Sequence, residues 1–243
     1  MLRVILSVVL VVIIAFSVSR IMQIMGEYNR ANEVAENMLV YKPGISPGEK
    51  AAPVVNQGVI DAQNEINGDI VGWLTIPGTA VDYLFVQAAD NDYYLGTDLY
   101  GRSASAGSIF MDARNKEDFS DFNTILYGHH MKNGSMFQSL TKFAEGDFFE
   151  ANLTGMIFLP YETYLLRIFA YMVIQADDAV IYGSLTEASS QRNNFFDYVE
   201  KNALRFRDLG FTDQDRVVTL SSCSYAFNDA RMVLLARLEE PNR

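Results

Sequence analysis

Three residue types in this chain could do covalent chemistry together. Val217–Leu238 reads VVTLSSCSYAFNDARMVLLARL and holds Cys223, the only cysteine, with Arg231 a short loop later. A thiol is a nucleophile as thiolate and needs a partner that handles protons. The chain has two histidines, His129 and His130, adjacent in ILYGHHM. A guanidinium stays cationic at any working pH and offers several N–H donors. Beside a thiolate it can hold a carbonyl and stabilise the oxyanion of a tetrahedral intermediate. Cysteine, histidine and arginine are therefore a sufficient set for acyl transfer. The bland readings are a buried apolar cysteine, a satisfied histidine and a surface arginine. They weaken here because the thiol is single, its neighbours Ser221, Ser222 and Ser224 are polar, and the histidines stand side by side.

The elements around these residues must bring them together. β-Favouring apolar residues run up to Cys223, and a second such run starts at Arg231, which predicts an antiparallel hairpin with the two facing each other. Ile70–Ile76 and Val81–Val86, separated by Pro77-Gly78, read as strands, as do Ser108–Met111, Thr124–Tyr127, Met156–Leu159 and Leu165–Ile174. The last residues of Thr124–Tyr127 run into Gly128 and His129, placing the histidine at a strand end. Helical spacing over Met136–Ala144, with Ser135 as N-cap, predicts a helix after Gly134. Phe195, Phe196, Val199 and Ala203 predict another before the hairpin, and Val59–Ile66 a short one ended by Asn67-Gly68. Many short strands with few helices favour a mainly β fold, a small barrel or sandwich with helical insertions.

The chain has 243 residues and a formal net charge of −11. An acidic chain without a basic block is a poor nucleic-acid binder. Leu2–Val18 is almost unbroken Leu, Val, Ile and Phe, long enough to cross a bilayer, where a span of roughly 20 residues is needed. Residues 1–25 therefore read as an N-terminal membrane anchor, favoured on length over a cleaved signal peptide with a site at Ala15-Phe16-Ser17. Residues 26–57 read as a helical stalk and a Pro/Gly linker at Lys42–Gln57, and residues 58–243 as the catalytic domain. Either reading of the N terminus exports the rest of the chain. An exported protein usually pairs its cysteines or lacks them, so one unpaired cysteine suggests a reactive thiol. No His/Cys cluster has metal-ligand spacing.

Thr219-Leu220-Ser221-Ser222-Cys223 resembles the TLxTC signature of sortases, with Arg231 at the position of their essential arginine. Tyr127-Gly128-His129 matches their strand-end histidine motif. HMKNGSMF and the upstream stretch INGDIVGWLTIPGTAVDYLFVQAADNDYYLGTDLYGRSASAGSIFMDARN resemble class B sortases, and a helix at Asn194–Phe206 fits the insertion that class carries. The resemblance spans Ile66 to the C terminus. It implies a sortase-type closed β-barrel with N-terminal helices and a helix before the catalytic hairpin. It also implies a membrane-anchored cysteine transpeptidase of Gram-positive bacteria, single-pass, with its catalytic domain extracellular. Such an enzyme cuts a C-terminal sorting signal of a secreted protein after Thr and passes the acyl group, through a Cys223 thioester, to an amine of peptidoglycan or lipid II. His129 would be the acid/base and Arg231 the carbonyl clamp. Asn91, Leu95, Tyr182 and Ser221 would line the sorting-signal groove. No metal or organic cofactor is implied. Two positions depart from the pattern: Ser222 stands where Thr is usual, and Ser224 where an acidic residue often follows the cysteine. A pilin-polymerising sortase and an exported papain-like cysteine protease are the alternatives. The latter normally carries its cysteine early in the domain and uses Asn or Asp to orient the histidine. An L,D-transpeptidase lacks support because Ser-His-Gly-Cys is missing, and a non-catalytic surface domain would make Cys223 a bystander.

Overall fold

Apolar side chains cover every face of the first helix, α1 (Leu2–Met38), through Met25, and none of them is buried from Val4 to Met25. A helix apolar all round suits a lipid environment, and among the described residues it is the one helix long and apolar enough to cross a membrane. The computed structural model describes residues 2–44, 55–183, 189–223 and 229–240. Past Gly26 one side of α1 meets protein: Val34 and Ala35 pack against the core and Met38 is buried in it. Residues 26–38 are helical, continuous with the apolar segment. Most of the expected linker, residues 45–54, lies outside the described residues. Its last residue already begins α2 (Gln57–Glu65).

Among the described residues nine strands follow: β1 (Ile70–Thr75), β2 (Asp82–Val86), β3 (Ile109–Met111), β4 (Asn123–Tyr127), β5 (Thr154–Phe158), β6 (Thr163–Gln175), β7 (Arg205–Phe206), β8 (Arg216–Cys223) and β9 (Ala230–Glu239). Their order is β5-β1-β2-β3-β4-β8-β9-β6-β7, and β6 also pairs with β5. That second pairing closes an eight-strand barrel and leaves β7 as an appendage on β6. Closure removes the unpaired strand edges that an open sheet exposes. The β2–β3 and β4–β8 pairs are parallel; the others are antiparallel.

Alternation of side chains across the strands separates the core into layers. Leu74, Phe85, Leu126, Phe137, Leu166, Val218 and Leu234 fill the barrel. The opposite faces of β8 and β9 carry Val217, Val233 and Leu235, covered by Phe195, Phe196 and Val199 of α5 (Ser189–Asn202) and by Ile181 of α4 (Ala179–Gly183). A third cluster joins Trp73 and Leu84 to Val59 and Ala62 of α2 and to Met38. β1 is buried at every position because it has cover on both faces.

Two expectations are corrected. The helix after Gly134 is a 3₁₀ segment, Gln138–Ala144, followed by a short helix, α3 (Gly146–Ala151). Ser135 does not cap it but bonds to Asn133, and Met136 sits at φ 55°, outside helical space, bridging back to His130. The helix before the hairpin starts and ends earlier than Asn194–Phe206, since Phe206 belongs to β7.

Candidate active site

The geometry begins with strand register. In the β8–β9 hairpin Cys223 faces Arg231, and two residues back Ser221 faces Val233. β4 runs parallel to β8 on its other side, with Tyr127 opposite Ser221. The ladder continues one step further, as Gly128 N–H donates to the Ser221 carbonyl at 3.1 Å. His129 is two residues past Tyr127 and Cys223 two past Ser221, so both stand at the same level. With a period of two, positions 129, 223 and 231 share one face of the sheet. A histidine, a cysteine and an arginine thus form a row across three adjacent strand ends.

Gly128 lets the chain leave β4 at that level. A Cβ there would lie 2.8 Å from the Phe137 ring and 2.5 Å from Ile109, both part of the barrel interior. A side chain at 128 would push Phe137, and with it the loop that follows the histidines. His129 is half-buried, and its Nε2 lies 2.8 Å from the Leu95 carbonyl oxygen. Arg231 is half-buried; its guanidinium donates to the Ala230 carbonyl at 3.2 Å and, among the described residues, pairs with no carboxylate. It keeps donors for an oxygen brought by a substrate.

One row down, on the same face, Tyr127 and Ser221 carry a polar network. Tyr182 of α4 stacks on Tyr127 at 6.4 Å between ring centroids, and its hydroxyl lies 2.8 Å from Ser221 Oγ. Tyr127 OH donates to Asp112 Oδ2 at 2.9 Å. Asp112 is fully buried and takes a fork from Arg114, Nε to Oδ1 at 2.8 Å and Nη2 to Oδ2 at 2.7 Å. The same Nη2 reaches the Tyr182 carbonyl at 3.2 Å. Burial alone would raise the Asp112 pKa, but the hydrogen bonds from Arg114 and Tyr127 outweigh it and hold the carboxyl below the ordinary 3.8. Burial and the Asp112 charge push the Tyr127 phenol well above its ordinary range, so it stays a donor. One row further down, Thr219 Oγ1 donates to Asn123 Oδ1 at 2.8 Å, and Asn123 donates to the Ile181 carbonyl at 2.9 Å. The outer face of β4 and β8 is therefore stapled to α4 by side chains at alternate positions.

The four expected groove residues fall at different depths. Leu95 is exposed, at 44% of its surface, and its carbonyl serves His129. Asn91 accepts from Ala113 N–H at 2.8 Å, bracing its loop against the end of β3. Tyr182 is half-buried, and Ser221 beneath it is buried. Ser222 is also buried, and its hydroxyl has no hydrogen-bond partner among the described residues. Ser224 lies outside the described residues. Asp112 and Arg114 escaped sequence reasoning. A charged pair just after a short strand looks like any turn, and only the fold reveals that Tyr127 and Tyr182 converge on it.

Among the described residues no cluster of His, Cys, Asp and Glu could hold a metal ion. The arrangement supplies a nucleophile position, an imidazole and a guanidinium at one sheet end, which suits attack on a carbonyl followed by transfer.

Residues 74–239 match the Sortase domain family. The chain is 38% identical over 179 residues to Sortase B of Listeria monocytogenes, covering 72% of this chain and 71% of that protein. It is 32% identical over 180 residues to Sortase B of Staphylococcus aureus, covering 73% of each. The crystal structure of sortase B from Bacillus anthracis in complex with AAEK1 superposes with a TM-score of 0.74 at 35% identity, covering 89% of this chain and 99% of that one.

Proposed function

The chain belongs to the sortase family, and from that premise we propose which of its residues perform the family's reaction and on what. It is a cysteine transpeptidase of the class B kind, acting in cell-wall anchoring. The row of His129, Cys223 and Arg231 across β4, β8 and β9 is the observation that carries the assignment of roles.

The Cys223 thiolate attacks the carbonyl carbon of a Thr in a C-terminal sorting signal. A C–S bond forms, and the carbonyl oxygen becomes an oxyanion held by the Arg231 guanidinium. The tetrahedral intermediate collapses, the C–N bond breaks, and His129 gives a proton to the leaving amine. A thioester on Cys223 remains. An amine of peptidoglycan or lipid II then loses a proton to His129 and attacks the thioester. An amide forms, the C–S bond breaks, and the thiolate returns. Arg231 serves both halves because the oxyanion appears twice in the same place.

Asn91, Leu95, Tyr182 and Ser221 form the groove for the sorting signal. Leu95 presents an exposed side chain beside His129, and Tyr182 offers a ring face held by Tyr127 and Ser221. Residues 1–25 anchor the chain in the membrane, 26–57 hold the domain off it, and 58–243 work outside the cell. The exposed apolar surface of α1 supports this reading.

The test uses the full chain in detergent and a panel of sorting-signal peptides. Cleavage should leave a mass adduct on Cys223 that a nucleophilic amine discharges, and Cys223→Ala should lose all cleavage. An unmodified Cys223 during turnover, or cleavage by Cys223→Ala, overturns the assignment.

A further inference from the structure

Nucleophile–base pairs usually rely on a third group that orients the base, often a carboxylate or an amide side chain. Among the described residues no carboxylate lies within ion-pair distance of His129. The group that meets the ring is a backbone oxygen, the Leu95 carbonyl, 2.8 Å from Nε2. A carbonyl only accepts, so this contact requires the proton on Nε2 and leaves Nδ1 as the nitrogen that exchanges protons. We propose that the Leu95 carbonyl is the positioning group of the acid/base, holding His129 as its Nε2–H tautomer so that Nδ1 serves the reaction. This rests on the reading of His129 as the acid/base.

The loop is built to aim that oxygen. Leu95 ends a single 3₁₀ turn, Tyr93–Leu95, whose start is fixed by Asp90 Oδ1 accepting from the backbone N–H groups of Asp92 and Tyr93, both at 2.9 Å. The carbonyls on either side are committed elsewhere, Tyr94 to Ser108 N–H at 3.0 Å and Gly96 to Ala104 N–H at 2.9 Å. With its neighbours tied, the Leu95 carbonyl sits in a braced loop and points to His129. The returning chain passes close behind. Gly107 sits at φ +55°, and a Cβ there would come within 2.7 Å of the Leu95 oxygen and 2.4 Å of the Tyr94 oxygen. Gly107 is needed twice, for its left-handed backbone and for the space that lets this carbonyl keep its place.

That crowding supplies a probe for a backbone atom that mutation cannot delete. Gly107→Ala should drive the Leu95 carbonyl off the imidazole. Gly101→Ala is the control: it has the same kind of left-handed backbone, φ +74°, in the same loop, but its Cβ would meet only Tyr93 Oη at 3.9 Å. The full chain in detergent would carry ring-15N histidine and His130→Gln, so that one imidazole reports. The neutral ring should be a single Nε2–H tautomer with a slowly exchanging proton, whereas a free imidazole samples both tautomers and exchanges fast. Gly107→Ala should restore the mixture and fast exchange and lower kcat about 10-fold or more, a part of what acid–base assistance is worth. KM for a sorting-signal peptide should rise as well, since Leu95 also lines the groove, and Gly101→Ala should keep both constants. A tautomer mixture or an Nδ1–H ring in the parent protein overturns the proposal even if Gly107→Ala does not fold. So does unchanged kcat in a Gly107→Ala protein whose ring has been released. If His129→Ala keeps its activity, the assignment of His129 fails, whichever tautomer the spectra show.

Discussion

His129 and His130 are the same residue type one position apart, and their surroundings differ. His129 follows the β4 ladder to the level of Cys223 and meets the Leu95 carbonyl. His130 pairs through its backbone with Met136, whose N–H donates to Tyr83 Oη at 3.1 Å, so it closes the loop rather than facing the row. His129→Ala should therefore lose at least ~100-fold in kcat, the scale of a removed acid–base group, while His130→Ala loses less; steady-state rates on one sorting-signal peptide decide, and the reverse order would overturn the assignment. These residues were readable because they are rare: one cysteine and two histidines leave few combinations. The Leu95 oxygen was not readable. Every residue carries a carbonyl, and its role depends on where the 93–107 loop aims it. The leucine itself drew notice only through resemblance, as a groove residue.

At the scale of elements, polar groups join buried Ile181 in holding α4 onto the barrel. Tyr182 and Ile181 bring two carbonyls and a phenol to Arg114, Asn123 and Ser221. Asp112 is the anchor of that set. Its folded pKa lies below its ordinary 3.8, so its stabilisation is complete above that value and is lost as pH falls through the folded value. Asp112→Asn should cost about 2 kcal/mol near neutral pH, the worth of hydrogen bonds to a charged acceptor. Its unfolding curve should also change less than the parent's between pH 5 and the acid limit; equal acid sensitivity of both proteins would remove Asp112 from the account. α5 is different: Phe195 and Phe196 set edge-on to Phe122 at 5.2 and 5.9 Å, and Phe196 stacks on Phe211 at 4.3 Å. Phe195→Ala should cost ~3–5 kcal/mol of stability by denaturant titration, as for other buried aromatics; a loss under ~1 kcal/mol would mean the helix does not depend on this contact. α5 was legible from its aromatic spacing. α3 and α4 were not, because helices of 6 and 5 residues are too short to show a period. Over Met136–Ala144 the spacing predicts one α-helix, but Met136 takes a left-handed backbone and the turn tightens to 3₁₀.

At the scale of the molecule, closing the barrel sets three strand ends side by side through strand pairing. Cys223 and Arg231 are hairpin neighbours, but β4 reaches β8 only through a parallel pairing that brackets, among the described residues, seven intervening elements of sheet and helix. On the proposed reading of α1 as the anchor, the barrel should stay with the membrane. The intact chain is expected to resist extraction by alkaline carbonate and to keep its N-terminal residues by intact mass; a mature N terminus after Ser17, released to the soluble fraction, would support the cleaved signal peptide instead. By itself the sequence determined the chemistry and the class of fold, because residue types, the strand period and the apolar run act locally and each leaves a mark where it sits. Only the tertiary structure decided that His129 comes level with Cys223, that Asp112 and Arg114 support the row beneath, and that a backbone oxygen at Leu95 meets the imidazole. Those depend on pairing between distant segments and on the direction of a loop, and such contacts arise from barrel closure rather than from any stretch of residues alone.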